Sequence, residues 1–150
     1  MTIEIILTAS ELMVAATVGA MRRIKSLQSG LNKNKHAMKS DWATDIDGAA
    51  AEIAVAKHFQ IYWGPSIDTF KEPDVGVYQV RSTCHQQGCL IVRENDSDAE
   101  KFILVIALPP VYRIVGMIQG ADAKLQKFYR AADDRGVGCW WVPQESLAEI

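Results

Sequence analysis

Apolar and polar positions follow two rhythms along this chain, and the changes of rhythm mark its elements. Thr2 to Leu7 is β-rich and predicts a short strand, after which Thr8-x-x-Glu11 has the form of a capping box opening a helix. Leu12, Ala15, Ala16, Val18, Met21, Ile24 and Leu27 build a broad apolar stripe at helical spacing, so the helix should run to about Gln28, with Gly30 as its stop. LNKNKHAMKS is polar and unpatterned and reads as a mobile connection. Asp47 is the expected N-cap of a second helix over GAAAEIAVAKHF, whose many alanines imply close packing against a sheet. Turn-rich sequence follows, and then four β-like runs: Gly76–Ser82, Cys89–Arg93, Phe102–Leu108 and Val111–Ile118. The third alone is apolar throughout, as a central strand covered on both faces should be. Gly120 to Arg135 has helical potential, and Cys139–Gln144 returns as a last strand or edge segment.

Helix, several strands, helix, strand is the order of an α/β (α+β) domain with a central mixed β-sheet flanked by helices. The chain has 150 residues, 49% hydrophobic and 23% charged, which suits one domain able to bury its own core and fold alone or as a homodimer. Within it, 1–45 form the N-terminal helix and basic connection, 46–118 the core, and 119–150 the C-terminal helix and strand. Cys84, Cys89 and Cys139 are too few and odd in number for a disulfide scaffold, which favours a reducing, cytoplasmic setting. The apolar N-terminal run contains Glu4 and Glu11 and reads as part of the fold, neither signal peptide nor membrane span.

A net charge of −2 argues against a generally basic nucleic-acid binder, but the charges are unevenly spread. Arg22, Arg23, Lys25, Lys33, Lys35 and Lys39 fall in a stretch free of acid and could follow a phosphate backbone; solvation of a helix end and loop explains them equally well.

The candidate chemistry lies in EPDVGVYQVRST, Glu72 to Thr83. Residues two apart in a strand share a face, so Gln79 and Arg81 point together while Tyr78, Val80 and Ser82 point the other way. If a turn brings Asp74 beside Gln79, its carboxylate, an amide oxygen and the Val80 carbonyl could hold a hard divalent cation. Each residue also has a plain reading: an Asp after Pro begins many turns, alternating polar residues suit a half-exposed strand, and Glu52 could face outward from its helix.

PDVG followed by QVR, with GAAAEIAVAK upstream and FILVIAL downstream, resembles the PD-(D/E)XK nuclease superfamily, the restriction-endonuclease-like fold, over roughly Ile46 to Ile118. The resemblance implies that Asp74 is the metal-binding aspartate, Gln79 the second ligand and Glu52 the helix glutamate that completes a Mg²⁺ or Mn²⁺ site. Arg81 stands where the family has its lysine. A guanidinium stays protonated and cannot be a general base, but it can stabilise charge on a phosphate. Ser82 and Thr83 could donate hydrogen bonds to a neighbouring phosphate. The implied function is metal-dependent hydrolysis of phosphodiester bonds in nucleic acid, with DNA favoured, and the small size resembles phage or mobile-element accessory proteins. The alternatives are a catalytically inactive nucleic-acid-binding protein of the same fold and a structural or assembly protein without nucleic-acid contact.

Other chemistry finds less support. Cys84, His85 and Cys89 are zinc-ligand types, yet Cys and His in direct succession are awkward for one tetrahedral centre, and inert thiols are the simpler reading. Trp140 and Trp141 could stack on unpaired bases, but neighbours in a strand face opposite ways, so one at least belongs to the core. No Ser-His-Asp order, Walker loop or dinucleotide fingerprint is present.

Overall fold

A computed structural model of the chain describes residues 2–30, 41–65, 72–132 and 137–150. Strand β1 (Ile3–Ile6) leads into helix α1 (Ala9–Gln28), and helix α2 (Asp41–Phe59) follows. Next come β2 (Tyr78–Thr83), β3 (Leu90–Val92), β4 (Lys101–Leu108) and β5 (Val111–Gln119). A short α3 (Gly120–Ala123), β6 (Tyr129–Arg130) and β7 (Cys139–Val142) complete the order. The class is α+β, and no helix among the described residues is long and apolar enough to cross a membrane.

The capping box forms as its spacing requires. Thr8 Oγ1 accepts from the Glu11 amide at 3.2 Å, and the Glu11 carboxylate accepts from the Thr8 amide at 2.7 Å. Helix α2 begins earlier than its sequence predicts: Asp47 lies inside it, and Asp41 opens it. The extra turns are held by tertiary contacts that composition does not reveal. Arg23 of α1 is buried and donates to Asp45 at 2.7 Å and to Asp41 at 3.3 Å. The two helices meet at Gly19, where an added Cβ would lie 2.5 Å from the Ile46 Cα, so only glycine permits this approach. The predicted connection over residues 31–40, with Lys33, Lys35 and Lys39, lies outside the described residues.

The expectation of one sheet is corrected to two. A mixed sheet has the order β1-β5-β4-β2, and a small antiparallel sheet the order β3-β7-β6. Strand β4 is central to the first, and Phe102 to Ala107 are all buried. One face of β4, with Ile103, Val105 and Ala107, packs with Tyr112 and Ile114 against the alanines of α2. The other face, with Phe102, Leu104 and Ile106, packs against Leu90, Val92, Phe128 and Val142 below the small sheet. Small side chains at Ala50, Ala51 and Ala54 let the helix backbone come close to the sheet, which is why enlarging one would cost about 1–3 kcal/mol.

The helix expected from Gly120 to Arg135 is also corrected. It lasts one turn, yields to a 3₁₀ turn at Gln126–Phe128, and then becomes strand β6. Helix propensity loses here to burial: Phe128 is drawn into the core under the small sheet, and the Lys124 amino group reaches the loop before β4.

Candidate functional site

Strand β2 forms an edge of the large sheet, paired in parallel with β4. Just before it, the chain reverses tightly between Val75 and Tyr78: the Tyr78 amide donates to the Val75 carbonyl at 2.8 Å, and the Val75 amide returns the bond at 3.1 Å. Gly76, with φ of 58°, takes the left-handed conformation such a reversal needs. This turn folds Asp74 back along the outer edge of β2. Its Oδ2 accepts from the Val80 amide at 2.7 Å, satisfying an edge donor that no strand meets. Because the N–H and C=O of a strand residue leave on one side, the Val80 carbonyl faces the same edge.

Glu52 approaches from α2. It is 6% exposed, and both of its oxygens are engaged. Arg22 Nη1 donates to Oε1 at 2.7 Å, Arg22 Nη2 donates to Oε2 at 2.9 Å, and Trp63 Nε1 donates to Oε2 at 3.0 Å. Asp74 feels this arrangement. Burial, and then the Glu52 charge, push its carboxyl up to about 6, against the opposing pull of the Val80 amide, Arg81 and Arg22. Asp74 and Glu52 therefore converge from sheet edge and helix, with Arg22 and Arg81 around them.

Gln79 does not join them. In the register of β2 on β4, Gln79 lies opposite Phe102 and Arg81 opposite Leu104, which belong to the small-sheet side, while Val80 lies opposite Ile103 on the α2 side. The pleat that makes Gln79 and Arg81 companions also turns Gln79 away from Glu52. Its Nε2 donates to Glu100 Oε1 at 2.9 Å and to the Glu72 carbonyl at 3.3 Å. Arg81 is braced as well: Nη2 donates to Asp96 Oδ1 at 2.9 Å, Nε donates to the Ile91 carbonyl at 3.3 Å, and the guanidinium sits 5.2 Å from the Phe102 ring centre.

Behind Arg81 stands a loop of alternating acids that sequence reasoning passed over. Asp96 Oδ2 accepts from the Arg93 amide at 2.8 Å, and Glu100 Oε2 accepts from the Ser97 amide at 3.0 Å. Lys124 closes the loop by donating to the carbonyls of Glu94 and Asp96 and pairing with Asp98 at 2.9 Å. The acids of RENDSDAE were visible as a signal; that a lysine from beyond β5 would reach them was not.

The remaining predicted residues divide clearly. Arg22 and Arg23 turn inward to carboxylates, Lys25 is exposed, Ser82 is exposed, and Thr83 Oγ1 accepts from the His85 amide at 3.2 Å. Cys84, Cys89 and Cys139 are free thiols. Among the described residues no group of three or more His, Cys, Asp or Glu side chains could hold a metal ion.

Asp74 and Glu52 lie near enough for the Glu52 charge to raise the Asp74 pKa, both Glu52 oxygens are already engaged by Arg22 and Trp63, and Gln79 lies apart from the two carboxylates. Comparison of the chain with family models, curated proteins and solved structures finds no match.

Proposed function

We propose that the chain is a nuclease-like protein acting on the phosphodiester backbone of nucleic acid, with Asp74, Glu52 and the Val80 carbonyl as the groups that hold Mg²⁺ or Mn²⁺. The observation that carries this reading is the approach of a buried carboxylate, Glu52, and a half-buried one, Asp74, from different elements, near enough for the Glu52 charge to act on Asp74. A pair so placed repels itself unless positive charge lies beside it; Arg22 grips Glu52 directly, and Arg22 and Arg81 together only partly offset the rise at Asp74. Bound there, a divalent cation supplies Lewis-acid polarisation of the phosphate and lowers the pKa of water.

The protein's own groups do the rest. The Val80 amide fixes the Asp74 carboxylate, and the Trp63 indole and Arg22 fix Glu52. Arg81, held by Asp96, presents a permanent positive charge beside Asp74; with no proton to give up, its role is electrostatic. The test is cleavage of plasmid and single-stranded substrates with Mg²⁺ or Mn²⁺, wild type against Asp74→Ala. Metal-dependent cleavage lost on substitution is expected; activity that the substitution leaves intact overturns the assignment.

A second reading, binding without cleavage, is favoured by the two-pronged grip of Arg22 on Glu52 and by the neutral, diverted Gln79. Nucleic-acid affinity indifferent to Mg²⁺, with no cleavage, would select it.

A further inference from the structure

The small sheet carries a cleft remote in sequence from Asp74. Residues 139 and 141 share one face of β7, and its register places Arg130 opposite Cys139 and Ile91 opposite Trp141. Trp140 turns the other way, towards the core, with Tyr129 tilted against it at 5.3 Å. On the outer face the Arg130 guanidinium sits 4.5 Å from the Trp141 ring centre. Around this pair lies a cavity of about 400 Å³, lined by Cys89, Lys127, Phe128, Tyr129, Trp141 and Pro143 together with Arg130. Its size is within the range of small-ligand sites.

The lining selects a ligand by its chemistry. Among the described lining residues are two cations and no acid, a balance that favours an anion over a positively charged guest. An indole bearing a guanidinium offers a platform for a flat aromatic group, since bases stack on both aromatic rings and arginine planes. An aromatic plane joined to an anion is the chemistry of a nucleotide. Duplex bases are already stacked on their neighbours, so the base that can use this platform is an unpaired one.

We propose that the cleft over the outer face of β6 and β7 binds an unpaired nucleotide of a single-stranded nucleic acid, its base on the Trp141–Arg130 pair and its phosphate against Lys127. The proposal rests on the reading of the chain as a nucleic-acid protein, but not on cleavage. It gives such a protein a way to hold a single strand by a site separate from the carboxylate pair.

The test is fluorescence anisotropy with labelled oligothymidylate, oligouridylate and a labelled duplex, at low salt in EDTA so that no strand is cut. Trp141→Ala should weaken single-strand binding about tenfold or more, Trp141→Phe should retain most of it, and Arg130→Gln, at an exposed position, should lose several-fold. Duplex affinity should be unchanged in all three variants. Unaltered single-strand affinity in both Trp141→Ala and Arg130→Gln overturns the proposal, even where Asp74-dependent cleavage is observed. Equal weakening on the duplex overturns it too. Competition by free thymidylate as effective per nucleotide as the oligomer would assign the cleft to free nucleotides and overturn its strand role. Conversely, binding lost in Trp141→Ala by a wild type that cuts nothing keeps the cleft and removes the nuclease reading. The oligothymidylate and oligouridylate arms decide between DNA and RNA as the source of the strand.

Discussion

Asp74 and Arg81 belong to the same sheet edge, yet their charges are met in opposite ways. Around Arg81 each charge has its counterpart: Asp96 for the guanidinium, Asp98 and two carbonyls for Lys124, the Gln79 amide for Glu100. Around Asp74 the balance falls short: Arg22, which grips Glu52, and Arg81 both draw on it, yet partial burial and the Glu52 charge outweigh them and raise its pKa. The difference separates scaffold from site. A closed network of pairs holds a shape, whereas an under-compensated carboxylate invites a ligand of opposite charge.

The comparison can be broken most decisively by activity. Asp74→Ala should lower metal-dependent cleavage by about a thousandfold. Asp96→Ala, which unbraces Arg81 and leaves the Arg93 amide without its acceptor, should lose far less, and comparable losses would erase the distinction between site and scaffold. Next in size is a stability effect on the helix side. Glu52→Ala removes the carboxylate that Arg22 grips through both nitrogens and should destabilise by roughly 3 kcal/mol in urea unfolding, with much of the loss recovered when Arg22→Met is added. The corresponding Asp96→Ala, at a pair where the arginine is 25% exposed, should cost about 1 kcal/mol.

A pH effect follows from the Asp74 proton. Its folded-state pKa of about 6 lies above the 3.8 of a free aspartate, so the folded protein binds the proton more tightly than the unfolded chain. The Asp74 contribution to stability should therefore be greatest below the lower value and decline as pH rises through about 6, by about 3 kcal/mol in all. Asp74→Asn keeps an oxygen for the Val80 amide and should flatten this decline, measured by urea midpoints across that window. The least effect belongs to the loop: Lys124→Met should cost about 1 kcal/mol and speed hydrogen exchange at the Arg93 and Ser97 amides.

What could be read from the chain beforehand was whatever depends on near neighbours. Thr8 and Glu11 cap a helix because they stand three apart, and β4 is central because its residues are apolar on both faces. The alternation that pairs Gln79 with Arg81 was equally legible. Which partners wait on each face was not, because that depends on a strand register between segments far apart in sequence. The same limit hid the second sheet, whose β3 and β7 are separated by two long strands. It also hid the Arg22–Glu52 pair, which exists only because Gly19 lets two helices touch. Residues 120 to 132 mislead for a related reason: their alanines and lysines favour a helix in isolation, and core burial of Phe128 overrules that preference.

Lys124 has a consequence for how the molecule would respond to its surroundings. Its ammonium does for the Glu94–Asp98 turn what a captured ion does for many acidic loops, but it is tethered to the polypeptide. Such a counterion cannot be diluted or drawn off by a chelator. Stripping divalent ions from the solution would thus leave the platform under Arg81 standing.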